Sequence, residues 1–250
     1  METGVLLTTF ISWFVGFLGI LQFVIYHKYA DASLRSQVAE SFAYLWLSLG
    51  FIMIFTGFNY IFLLIHSLQY ANYMIYAAQT MLACTLIFAS WHILLRANLP
   101  IHIRRALLGL GVLGAGAFLV AFYFYGFESV TTSFFSIETR INNQARLIYS
   151  VIFIPLFVIL LYSLIGVLSD MLQGKAKVVV NGIASYDPQF LFTLISGLSI
   201  LVLSIAGTAD ELSIIYDWAY PVARLVTLIA AMLAYFAIST LNKPTEEVVV

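Results

Sequence analysis

Charge is scarce in this sequence. Asp, Glu, Lys and Arg make up 9% of the 250 residues, while 62% are apolar; soluble domains carry about 25% charged and about 45–50% apolar residues. That deficit excludes an ordinary soluble globule, a disordered chain and a coiled coil. A net charge of −1 supplies no field that would gather nucleic acid. Cysteine is nearly missing: the single Cys84 cannot form an internal disulfide and leaves no redox signature. No N-x-S/T acceptor occurs, and no basic stretch precedes the first apolar run, which reads as a retained span and not a cleaved signal.

What is present is apolar length. The mean hydropathy is +1.00, and a helix needs roughly 20 apolar residues to cross a bilayer. Runs of that size fall at 4–27, 41–66, 69–95, 106–127, 147–171, 190–209 and 216–241. The stretch 41–95 holds no acid, Lys or Arg and is too long for one crossing. Its most polar tetrapeptide, His66-Ser67-Leu68-Gln69, is where it should turn. The runs are too long for membrane strands and do not alternate. The expected class is therefore all-α: a polytopic membrane protein with seven transmembrane helices in one bundle, forming a single domain over 1–250.

Basic residues set the expected orientation. With the N-terminus outside, Lys28, Arg35, Arg96, Arg104, Arg105, Lys175, Lys177 and Lys243 are cytoplasmic, and only Arg140 and Arg146 lie in an outer loop. The expectation is N-out and C-in, with the plasma membrane as the site. Two connections are long. The outer one contains Ser133-Phe134-Phe135-Ser136, suited to the membrane interface. The inner one contains Val178-Val179-Val180-Asn181-Gly182-Ile183, where Asn-Gly signals a small hairpin, with a solvated connector as the alternative. Only 242–250 follow the last run, so no output domain is expected after it.

Known membrane chemistries find little purchase. Covalent retinal needs a lysine in the seventh helix, and that run has none before Lys243. Haem needs paired axial ligands; His27 and His92 are the nearest to a pair, but Trp91-His92 reads better as an interface anchor. No metal-ligand cluster, phosphate-binding glycine loop or Ser/His/Asp arrangement stands out. No cofactor, no metal and no enzymatic activity are expected. Paired helix breakers of a two-repeat carrier are absent too: Pro155 and Pro221 have no counterparts in the first half.

The seventh run carries the strongest polar signal. Tyr216-Asp217-Trp218-Ala219-Tyr220-Pro221-Val222-Ala223-Arg224 opens it, which puts Arg224 about 12 Å past Tyr216. An arginine left unpaired at membrane depth costs roughly 2.5–3.5 kcal/mol. Asp217, Tyr220, Arg224 and Thr227 fall on one face, and Val222, Leu225, Ile229, Leu233 and Phe236 on the other. Asn59 in the second run and Gln79 in the third lie at comparable depth, and Tyr76 precedes Gln79 by three residues. Arg224, Asp217, Tyr220, Asn59, Gln79 and Tyr76 are thus the candidate ligand-binding set, lining an outer-half cleft. The competing reading is that these groups only bond neighbouring helices.

The fourth run is rich in small residues, and Gly111, Ala115, Ala117 and Ala121 are spaced for close helix packing, within the chain or across a homodimer. The resulting functional expectation is a receptor- or sensor-like protein in the lipid bilayer. It would bind a small ligand from outside and signal to a cytoplasmic protein partner docked on the basic inner loops. A small transporter and a non-catalytic subunit of a larger membrane complex are the alternatives.

Overall fold

The computed structural model describes residues 2–30, 36–97, 99–132, 137–141, 143–174, 177–180, 183–212 and 219–241. Seven helices dominate: α1 (Glu2–Tyr29), α2 (Gln37–Leu64), α3 (Leu68–Arg96), α4 (Ile101–Tyr125), α5 (Asn143–Leu172), α6 (Pro188–Leu212) and α7 (Ala219–Ser239). Each is long and apolar enough to cross a membrane. All seven expected runs are present, mostly extended by a few residues at their ends. The last is described as helix from Ala219, and its first expected residues, 216–218, lie outside the described residues. Large apolar side chains cover the outside, among them Phe10, Phe14, Phe17, Leu113, Phe124 and Leu172, as expected for a chain solvated by lipid.

Local chemistry explains the helix ends. Ser36 caps α2, its hydroxyl accepting from the Ala39 amide at 3.2 Å. The expected turn in the 41–95 stretch is a tight helical hairpin of three residues. Leu64 ends α2 and His66 takes the left-handed conformation at φ 57°. The Ser67 amide then reaches Phe62 O at 2.8 Å and the His66 amide reaches Leu63 O at 3.1 Å, the paired bonds of a Schellman motif. Gly126 and Gly174 end α4 and α5 with positive φ, where a side chain would be strained.

Two short antiparallel hairpins add to the helical class. Phe127–Thr132 (β1) pairs with Ile137–Ile141 (β2) between α4 and α5. Lys177–Val180 (β3) pairs with Ile183–Tyr186 (β4) between α5 and α6, in a register that leaves two residues between Val180 and Ile183. The Asn-Gly signal therefore marks a hairpin and not a plain connector. Residues 133–136, expected at the membrane interface, lie outside the described residues.

The helices pack in chain order, each against the next, and α7 returns to α1; α3 also touches α5, whereas α2 and α7 meet only lightly. The main core joins Phe42 and Trp46 of α2, Ile93 of α3, Leu160 of α5, Phe192 of α6 and Ala234 of α7. Glycine makes the α1–α2 contact close. A Cβ on Gly50 would stand 2.8 Å from Gly16 O, and one on Gly19 would overlap Trp46 O. Side chains also lock α7 through its backbone: Gln22 Nε2 donates to Ala231 O at 2.9 Å and Ser199 Oγ donates to Ala230 O at 3.1 Å.

On α4, Gly111, Ala115 and Ala121 face inward, with Gly111 against Ser90, while Ala117 faces outward. The small residues thus divide: three serve packing within the chain, and the fourth lies on the lipid side.

Candidate functional site

The two faces of α7 separate as its pattern requires. Tyr220, Ala223, Thr227, Ala230, Ala231 and Ala234 are buried, and Val222, Leu225, Ile229 and Phe236 are exposed. Arg224 sits on the inner side of this division, half-buried, about 7.5 Å from the start of α7.

Its described contacts come from two helices. The Nη2 group donates to Tyr220 Oη at 2.8 Å and to Tyr60 Oη of α2 at 3.4 Å. Nη1 lies 3.9 Å from Met53 Sδ, also on α2. The two phenols hydrogen-bond to each other. The guanidinium carbon lies 4.5 Å from the centroid of the Tyr220 ring; a desolvated cation over an aromatic face gains about 2 kcal/mol. Tyr60 and Tyr220 are almost fully buried, and Val5 of α1 closes over them.

Sequence spacing explains the convergence. Tyr220 and Arg224 are one turn apart on α7, and Met53 and Tyr60 are two turns apart on α2. Tyr60 stands four residues from the end of α2, close to the depth of Arg224 from the start of α7. Among the described residues, two hydroxyls, a thioether and a ring face contribute to holding this cation.

Three of the expected set, Asn59, Gln79 and Tyr76, make their described contacts elsewhere. Asn59 is buried, but its Nδ2 donates to Ala71 O of α3 at 2.8 Å, so it ties α2 to α3. Gln79 is buried, and its Oε1 has no hydrogen-bond donor within reach among the described residues. Tyr76 packs on Phe122 and Tyr123 of α4, on a different side of α3. Asp217 lies outside the described residues.

The histidines also separate. His92 is not an interface anchor, because it is completely buried. The start of α2 packs over it, placing Val38 O at 3.0 Å and Ser41 Oγ at 3.1 Å from its Nδ1. His27 is exposed at the end of α1 and packs on Phe23 and Tyr44.

Tyr60 and Met53 escaped a reading centred on charge, although their seven-residue spacing on an apolar helix was available. Gln22 was legible too, as a lone amide deep in the first run. No family model matches the chain, and neither a curated protein nor a solved structure matches it.

Proposed function

We propose that the chain is a receptor- or sensor-like integral membrane protein of the plasma membrane, N-terminus outside and C-terminus in the cytoplasm. A small ligand engages Arg224 from the outer side, and the change passes through the bundle to a cytoplasmic protein partner. The chain itself performs no covalent chemistry in this reading. One observation carries it: Arg224, Tyr220, Tyr60 and Met53 form a polar tie between α7 and α2, two helices that touch only lightly elsewhere. A ligand that competes for the guanidinium would change how α7 is held against α2.

The lower half of α7 favours this reading over a carrier. A carrier needs polar groups that continue to the opposite side. Between Thr227 and Ser239 the buried face of α7 is Ala230, Ala231, Ala234, Ala237 and Ile238. The surface proposed for the partner comprises the start of α4, with Arg104 and Arg105, and the inner connection containing Lys175 and Lys177. Arg96 leaves that surface, since its guanidinium turns into the bundle toward Ser196.

The test is thermal unfolding of the purified protein in nanodiscs against a panel of carboxylates, amino acids and monosaccharides. A panel member that stabilises the wild type but not Arg224→Leu supports the proposal. If no member stabilises, or if both proteins respond alike, Arg224 is only helix glue.

A further inference from the structure

A second arginine lies at the opposite end of the bundle from Arg224, and its geometry differs. Arg96 is the last residue of α3. An arginine at a helix end ordinarily extends its head to water along a flexible stem. Here the head turns into the bundle, and Nη1 donates to Ser196 Oγ of α6 at 2.7 Å. That hydroxyl is completely buried and donates in turn to Thr193 O at 3.2 Å. Ser196 is thereby oriented to accept from the guanidinium and fixes its plane.

The remaining edge of the guanidinium is the notable one. Nε and Nη2 are both buried and have no hydrogen-bond acceptor among the described residues. These two nitrogens form the side-on edge, whose parallel N–H groups match two oxygens of one carboxylate or phosphate. Glycine makes room for this pose. A Cβ on Gly197 would stand 2.5 Å from Nη2 and 3.0 Å from Cζ, so any larger residue would displace the head. Leu164 of α5 packs at the same place. One turn earlier on α3, His92 has its Nδ1 engaged by Val38 O and Ser41, while its buried Nε2 has no partner among the described residues. A carbonyl can only accept, so the bond to Val38 O puts the proton on Nδ1 and leaves Nε2 with a lone pair.

We propose that Arg96, oriented by Ser196 and accommodated by Gly197, binds an oxyanion with two coplanar oxygens, a phosphate or a carboxylate, between α3, α5 and α6. Neither nitrogen is open to water in this packing, and a guanidinium removed from bulk solvent needs a counter-charge. The group comes either from the headgroup of an acidic phospholipid or from a soluble anion. This site is separate from Arg224, and the proposal stands whichever side of the membrane the end of α3 faces.

The experiment uses the full chain, delipidated in detergent, with thermal unfolding followed against inorganic phosphate and acetate at constant ionic strength. A parallel arm compares nanodiscs of phosphatidylcholine with nanodiscs containing phosphatidylglycerol, and native mass spectrometry counts retained lipid. Stabilisation of the wild type by phosphate or acetate in detergent supports a soluble source. Stabilisation confined to phosphatidylglycerol, with a retained lipid, supports a headgroup. In either case Arg96→Lys, which keeps the charge and loses the side-on edge, should weaken the apparent affinity by about tenfold or more, while Arg105→Lys at the exposed surface should not. If the wild type responds to none of these anions, or if Arg96→Lys responds as the wild type does, the proposal is wrong. Loss of the response in Arg96→Lys with Arg224→Leu unaffected separates this site from the proposed outer one.

Discussion

Replacing Gly19 with alanine adds one methyl group where the backbones of α1 and α2 approach closely. The new Cβ would overlap Trp46 O and stand 3.0 Å from Gly50 Cα. Ordinary carbon contacts are about 3.5–4.0 Å, so α1 and α2 must part by roughly 0.5–1 Å. The obstacles are backbone atoms and cannot rotate away. A gap of that size forfeits about a quarter to a half of each dispersion contact along the seam. Buried overpacking of this kind costs about 1–3 kcal/mol, which for a chain of this length lowers the melting temperature by roughly 2–12 °C. Gly109→Ala and Gly116→Ala are the controls, because a Cβ at either meets nothing within 4 Å; alanine there should be neutral or stabilise by about 0.5–1 kcal/mol. Thermal unfolding in a single detergent, followed by circular dichroism, compares the three. Equal melting temperatures for Gly19→Ala and Gly109→Ala would refute the close α1–α2 packing.

Other outcomes follow from the same structure. Tyr60→Phe removes one hydroxyl from Arg224 and from Tyr220 without changing shape, so it should destabilise by about 0.6–1.7 kcal/mol in a denaturant titration, the range of interhelical bonds in membranes; no loss would mean that the tie between α2 and α7 carries no energy. His66→Gly should raise stability by about 1 kcal/mol, because His66 holds a left-handed conformation that glycine adopts freely; a lower melting temperature would contradict the helical hairpin. The freshly purified protein should show no visible absorption from retinal or haem, and a band in either range would overturn the reading of the last helix and of the histidines.

The sequence was most legible where lipid is the solvent. Length and apolarity alone fix seven helices, because backbone groups in hydrocarbon must be satisfied within the segment. The α2–α3 turn was readable for a similar reason: polarity concentrates where the chain leaves lipid. The inward face of α7 was readable because alanine and tyrosine alternate with large aliphatics at helical period. The partners of each polar group were harder to read, because composition does not specify helix rotation. Asn59 and Tyr60 are adjacent in sequence, yet one bonds α3 and the other Arg224 of α7. Tyr76 and Gln79 belong to the same stripe by spacing, yet Tyr76 packs on α4. Charge misled in one place: Arg96 reads as part of a basic loop, whereas Ser196 and Gly197, a hundred residues away, draw it into the bundle. The close α1–α2 seam depends on Gly16, Gly19 and Gly50, whose importance appears only when the two helices are side by side.

The proposed capture of a ligand by Arg224 from outside requires the α2–α3 turn to lie outside the cell. The direct measurement labels Ser67→Cys in a Cys84→Ser background with a membrane-impermeant thiol reagent on intact cells. Ser67 lies in the connection nearest the Tyr60 end of α2. Labelling of intact cells, unchanged by permeabilisation, is the predicted result. Labelling only after permeabilisation would place the Arg224 end in the cytoplasm and contradict ligand capture from outside.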